Sequence, residues 1–173
     1  MNRIIENPEN IVLIGMPGVG KSTSGILLAK LTSRDFIDTD VYIQSHENRR
    51  LQEILDAQGK DAFCRMEEKH ILSLRCRRQV VATGGSVVYS PKAMRHLKQS
   101  SVTVYLTLPL PLLKMRLTNL STRGVAREAG QTLEHLFTER DPLYRRYADV
   151  IVDCEGRNHE EVAVGIIEAV HIP

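Results

Sequence analysis

Nine residues near the start of the chain, Gly15-Met16-Pro17-Gly18-Val19-Gly20-Lys21-Ser22-Thr23, fit the pattern G-x-x-x-x-G-K-[S/T]. Glycines let such a loop turn its backbone N–H groups inward around a phosphate, and the positive end of a following helix adds to the attraction. Lys21 is long enough to reach β- and γ-phosphates, and the Ser22 hydroxyl can hold Mg²⁺. The flanks suit this: the apolar run Ile11-Val12-Leu13-Ile14 precedes the loop, and Ile26, Leu27 and Leu31 follow it at helical spacing. The expected order is strand, loop, helix, and the expected ligand is a nucleoside triphosphate.

Two carboxylates come next, in Asp38-Thr39-Asp40 at the end of the β-rich run Asp35-Phe36-Ile37-Asp38. Residues two apart on a strand face the same way, and the carboxyl ends of parallel strands border the ligand crevice. Asp38 and Asp40 can then enter one site, one supporting the metal and the other accepting the proton of an attacking hydroxyl. The alternative is a turn whose aspartates cap a helix. A third run ends in Ala82-Thr83-Gly84-Gly85-Ser86, either backbone brought close to a ligand or a plain strand-to-helix turn. Arg123 lies in a segment, 121–131, with two glycines and few large apolar residues, which reads as a mobile lid. Arg140 lies at a helix break expected at Pro142. Such arginines suit transferred phosphate and anionic substrates; without a site around them they are solvated charge.

The elements that must position these groups are short and alternate. Near-continuous apolar runs at 11–14, 35–38, 80–82, 102–106 and 150–152 have the pattern of strands covered on both faces of a parallel sheet. Helical patterns separate or follow them at 24–31, 41–45, 51–57, 60–75, 91–98, 111–120, 132–147 and 159–170, with Pro91 and Pro111 suited to first helical positions. The fold class is α/β. No internal repeat or linker divides the chain, so residues 1–173 are expected to form one domain.

Composition narrows the function classes. Hydrophobic residues make up 42% and charged residues 25% of 173, ordinary for a globular protein. No apolar run approaches the roughly 20 residues of a membrane span. The first ten residues carry Glu6 and Glu9 and lack the apolar core of a secretory signal, so a cytoplasmic location is expected. Cys64, Cys76 and Cys154 form no C-x-x-C pair, which argues for reduced thiols and against zinc. A net charge of +2 does not point to nucleic acid. A GTPase is disfavoured too: N-K-x-D is absent, and Asp56-Ala57-Gln58-Gly59 closes a helical pattern, with Gly59 as its cap.

Taken together and in order, the phosphate loop, the D-T-D, the A-T-G-G, the R-x-P-L-Y of Arg140 to Tyr144 and the following Ala148-Asp149 resemble the shikimate kinase family over almost the whole chain. The resemblance implies a three-layer P-loop kinase with a five-stranded parallel sheet and a lid, Mg-ATP as donor, a small hydroxy acid as acceptor, and a monomer. It implies that Gly15, Gly18, Gly20, Lys21, Ser22 and Thr23 bind the phosphates, that Ser22 and Asp38 serve Mg²⁺, and that Asp40 holds and activates the hydroxyl. Gly84 and Gly85 would approach the acceptor. Arg123 would be the lid arginine and Arg140 the grip on the acceptor carboxylate, while Arg116 and Arg157 would lie near the adenine.

The chain also departs from that pattern. Family members carry F-R-x-x-E after the D-x-D, and their arginine clamps the shikimate carboxylate; here the run is Phe63-Cys64-Arg65-Met66-Glu67. Arg65 is no simple substitute, since one step along a helix turns a side chain by about 100°. The third glycine of the family is Ser86 here, the lid reads Arg123-Gly124-Val125-Ala126, and Arg146 stands where a glutamate is usual. Cys64, Ser86 and Glu67 therefore mark the acceptor pocket as altered. Two acceptors are open: shikimate, with Arg65 or Arg49 compensating, or an amino-acid alcohol such as homoserine, held by Arg140 and by a free Glu67 carboxylate. A nucleotide-binding module without turnover is a third possibility, disfavoured by Asp40.

Overall fold

A computed structural model describes residues 8–117, 124–128 and 130–171. Five strands form one parallel sheet: β1 (Asn10–Ile14), β2 (Asp35–Asp38), β3 (Gln79–Ala82), β4 (Ser101–Thr107) and β5 (Val150–Asp153), in the order β2-β3-β1-β4-β5. Every residue of β1 is buried, as the unbroken apolar run from Ile11 to Ile14 requires of a central strand. The chain first fills the β3 and β2 side of β1, then crosses to β4 and β5. The switch falls at β1, and the phosphate loop lies at its carboxyl end, where open α/β sheets bind ligands.

Seven helices are present among the described residues: α1 (Lys21–Leu31), α2 (Thr39–Glu47), α3 (Leu51–Ser73), α4 (Pro91–Lys98), α5 (Leu110–Arg116), α6 (Leu133–Tyr147) and α7 (His159–Ala169). A short 3-10 helix, Val87–Tyr89, follows the glycines after β3. The main core joins sheet residues such as Val12, Val81 and Val104 to Leu28, Met94 and Ile166 on the helices. A smaller cluster of Ile43, Leu51, Ile54, Phe63 and Ala126 ties α2 and α3 to the segment 124–128.

Three expectations about elements need correction. The helix expected at 41–45 starts two residues earlier, at Thr39, because Asp38 caps it: its Oδ1 accepts the backbone N–H groups of Asp40 at 3.0 Å and Val41 at 3.3 Å. The stretches expected at 51–57 and 60–75 are both helical and meet, as expected, at Gly59, which leaves helical geometry at φ 76°, but the second ends at Ser73, two residues early, and the two together make up α3. The expected break at Pro142 does not occur, and α6 runs through it. Side chains on both flanks hold that helix in place: Arg140 is bonded to Tyr89, and Tyr144 is bonded to Gly85 and stacked on Tyr105 at 5.1 Å. The lid expected at 121–131 lies partly outside the described residues, and so does Arg123.

Candidate active site

A cleft of about 740 Å³ opens over the carboxyl ends of β1, β2 and β3. Its floor is the phosphate loop. Gly20 sits at φ 108°, immediately before α1, where an L side chain is strained, so the loop feeds directly into the helix N-terminus. Side-chain room is lacking as well: a Cβ on Gly18 would come within 2.7 Å of Leu117, and one on Gly20 within 2.8 Å of the His159 ring. Pro17, Gly18, Gly20, Lys21, Ser22 and Thr23 line the cleft; Gly15 (φ 145°) starts the turn beneath it.

Lys21 is held by the loop it serves. Its ammonium donates to the carbonyls of Gly15 at 2.8 Å and Met16 at 2.9 Å. Burial lowers its pKa to about 8, against the opposing pull of Asp40 and Asp38, with Arg140 adding to the lowering. The Ser22 hydroxyl donates to Asp38 Oδ2 at 2.5 Å. A hydroxyl and a carboxylate from two different elements, poised beside the phosphate loop, fit a hard, oxygen-seeking cation. Ser22 and Asp38 would hold Mg²⁺, which when bound neutralises charge on the nucleotide phosphates.

Asp40 reaches the cleft by a different route from strand alternation. It lies in the first turn of α2, and the helix, started by Asp38, carries its carboxylate over Gly84. Asp38 therefore caps α2, as the capping alternative expects, and the helix so started also brings Asp40 into the cleft. Burial, reinforced by Asp38 and opposed by Lys21, raises the Asp40 pKa to about 6. A carboxylate so tuned is suited to accept a hydroxyl proton near neutrality.

The acceptor wall comes from the glycine turn and α6. The Gly84 N–H donates to Thr39 Oγ1 at 3.0 Å, and the Tyr144 hydroxyl donates to the Gly85 carbonyl at 2.7 Å. Arg140 is fully buried, yet it lines the cleft. Its Nε donates to the Tyr89 hydroxyl at 2.9 Å and its Nη2 to the Ala126 carbonyl, and its Nη1 lies over Gly85. A buried guanidinium with no carboxylate ion-paired to it among the described residues is a strong site for an anion.

The departures noted in the sequence take a definite form here. Cys64 does not line the cleft. Helix phase turns the adjacent Phe63 into it, and Cys64 borders a separate cavity of about 140 Å³ with Glu67, Ser86 and Tyr89. Burial, with Glu67 adding, pushes the Cys64 thiol up to about 11, so it is an unreactive packing thiol. Glu67 is not a free carboxylate: it is buried, and its Oε2 accepts the Ser86 hydroxyl at 2.7 Å. Arg116 donates to the Val19 carbonyl at 3.3 Å and lines the cleft. Arg157 does not line it; its guanidinium packs over Gly165 of α7.

Several groups that line the cleft or support its walls carried no legible signal in the sequence. Thr39 and Tyr89 are bonded to partners 45 and 51 residues away. His159 enters the cleft from the first turn of α7, its ring against Gly20 and its Nδ1 3.2 Å from Ser24 Oγ. Tyr144 alone could have been found, since it stands four residues after Arg140 and shares its helix face.

Comparison with known proteins agrees with this arrangement. A family model described as shikimate kinase matches residues 17–171. The chain is 36% identical over 167 residues to shikimate kinase of Dechloromonas aromatica, covering 95% of this chain and 89% of that one. It is 40% identical over 151 residues to shikimate kinase of Nitrosomonas europaea, covering 84% and 71%. Among solved structures, shikimate kinase from Acinetobacter baumannii in complex with shikimate aligns with a TM-score of 0.86 at 29% identity, covering 96% of this chain and 95% of that one. Because these matches run from the phosphate loop through the glycine turn to α7, the chain belongs to the shikimate kinase family of ATP- and Mg²⁺-dependent small-molecule kinases.

Proposed function

We propose that this protein transfers the γ-phosphoryl group of ATP to a ring hydroxyl of shikimate, giving shikimate 3-phosphate. The observation that carries this reading is that Asp40, Arg140 and the phosphate loop line one cleft. Asp40 accepts the hydroxyl proton, Arg140, held by Tyr89, orients the acceptor through its carboxylate, and Lys21 stabilises charge on the transferred group. Family membership and the likeness to a shikimate-bound relative support the same acceptor.

Homoserine is the weaker reading. It needs an ionised Glu67 to hold an ammonium, and burial raises the Glu67 pKa to about 7, so much of the carboxyl is neutral near neutral pH. The acceptor pocket and the nucleotide loop come from one chain, which supports a monomer, and the free Cys64, Cys76 and Cys154 fit a reducing cytoplasm. Among the described residues no helix is long and apolar enough to cross a membrane.

The test is ADP release from Mg-ATP with shikimate and L-homoserine side by side, and Lys21→Ala as control for contaminating kinase. Turnover of shikimate at sub-millimolar concentration is expected. Turnover of homoserine alone would reverse the order of the two acceptors.

A further inference from the structure

We propose that Glu67 binds the acceptor as a neutral carboxylic acid that donates a hydrogen bond, so that acceptor affinity falls as Glu67 ionises. The proposal rests on the reading that the cleft takes an anionic acceptor.

The geometry begins with an unpaired atom. Glu67 is 2% exposed; Oε2 is engaged by Ser86, while Oε1 is buried without a hydrogen-bond partner among the described residues. That oxygen lies against Gly84, a residue of the cleft wall, while Glu67 itself borders the neighbouring cavity of about 140 Å³. A Cβ built on Gly84 would stand 2.5 Å from Glu67 Oε1 and 2.7 Å from Asp40 Oδ1, so both carboxyl groups converge over the one glycine that gives the acceptor room. An unpaired buried polar atom costs free energy until something satisfies it, and a group entering the cleft over Gly84 is placed to do so.

The charge state follows from the surroundings. No ion pair to Glu67 is present among the described residues. On its own helix, Lys60 is turned to Glu128 at 3.4 Å and Glu139 at 3.9 Å, Arg65 is exposed, and Cys64 carries no charge. From α6, Arg140 donates to Tyr89 and Ala126 and makes no hydrogen bond to Glu67, and the Tyr144 hydroxyl bonds Gly85. From α2 and the end of β2 come Asp40 and Asp38, and from α1 comes Lys21, already close to both aspartates. The 3-10 helix adds the uncharged Tyr89. A carboxyl group this buried, facing another carboxylate and lacking a bonded cation, holds its proton. Burial is the largest cause of a pKa raised to about 7; the Ser86 hydrogen bond and Arg140 oppose it, and Asp40 reinforces it.

As the acid, Glu67 supplies an O–H beside Arg140 and can donate to a carboxylate or hydroxyl oxygen of the acceptor. As the carboxylate, it repels an anionic acceptor across a short, poorly screened distance. The position thus restores one hydrogen bond to the acceptor without a second arginine, over a limited pH range.

The experiment is the KM for shikimate at saturating Mg-ATP from pH 6 to 9, for the unaltered protein, Glu67→Gln and Ser86→Ala. KM is expected to rise above about pH 7, approaching tenfold per pH unit. Glu67→Gln keeps a donor and cannot ionise, so its KM should lack that rise. Ser86→Ala removes the hydroxyl that favours the ionised form, and its rise should move to higher pH. The KM for ATP and the melting temperature of each variant report whether the fold is intact. A KM that stays flat in the unaltered protein, or rises equally in Glu67→Gln, overturns the proposal while leaving shikimate as acceptor. Absence of shikimate turnover at every pH overturns the acceptor reading and this proposal with it.

Discussion

The Ser22 hydroxyl and Asp38 Oδ2 stand 2.5 Å apart, joining the phosphate loop to the end of β2, while the other oxygen of Asp38 caps α2. One carboxylate would therefore serve a Mg²⁺ site while it initiates a helix, and two substitutions separate the roles. Asp38→Asn keeps a good cap, so its melting temperature should stay near that of the unaltered protein while the Mg²⁺ concentration for half-maximal activity rises at least tenfold. Asp38→Ala should show the same Mg²⁺ effect and lose about 1 kcal/mol of stability as well. Mg²⁺ titrations of activity and thermal melts on both variants check this; an unchanged Mg²⁺ requirement would remove Asp38 from the metal site.

Gly84→Ala tests the acceptor wall. The new methyl would press on Glu67 Oε1 and Asp40 Oδ1, the mobile ends of two side chains that can shift aside. Overpacking of this kind costs about 1–3 kcal/mol, which a folded protein tolerates. The functional loss should be larger, because both carboxyl groups would leave the position where they meet the acceptor. We expect the KM for shikimate to rise at least tenfold, kcat to fall, and the KM for ATP to stay within about twofold. A loss confined to ATP affinity would contradict the placement of Gly84.

Much of this site was legible in the sequence, and particular residues show where legibility ends. The five strands and the phosphate loop could be read because their signals are local: unbroken apolar runs and a fixed glycine spacing. Asp40 was placed in the right cleft for the wrong reason. Strand alternation was assumed to continue past Asp38, whereas the capping strength of that same residue had already begun α2. Pro142 read as a break because a local rule takes no account of Tyr89, Gly85 and Tyr105, which hold Arg140 and Tyr144 from distant parts of the chain. Cys64 was assigned to the pocket from its place in a motif, but helix phase directs Phe63 there instead. The Ser86 to Glu67 bond and the entry of His159 depend wholly on tertiary approach, which no spacing records.

Asp40→Asn tests the proton acceptor. The amide preserves size and hydrogen bonding but cannot take the hydroxyl proton, so kcat with shikimate should fall by about 10²–10⁴. It also removes a carboxylate that supports the Lys21 ammonium in the phosphate loop. ATP phosphates replace that support when bound, so ATP affinity measured by calorimetry should change little. Retained turnover would exclude Asp40 as the base.

Glu67 should also leave a mark on stability, independent of catalysis. Its pKa is raised by burial from 4.5 to about 7, so the folded chain binds a proton that the unfolded chain releases at lower pH. The sign follows: this contribution to stability is fully present below pH 4.5 and is lost as pH rises through 7. The loss amounts to about 3 kcal/mol, set by the size of the shift. Glu67→Gln cannot ionise and escapes it, while all other titrating groups are shared by the two proteins. The stability of Glu67→Gln relative to the unaltered protein should therefore improve by about 3 kcal/mol between pH 4.5 and pH 8. Urea unfolding of both proteins across that range measures the difference directly. A difference that stays constant with pH would mean that Glu67 is ionised in the folded protein, with a solvated or paired carboxylate in place of the buried acid.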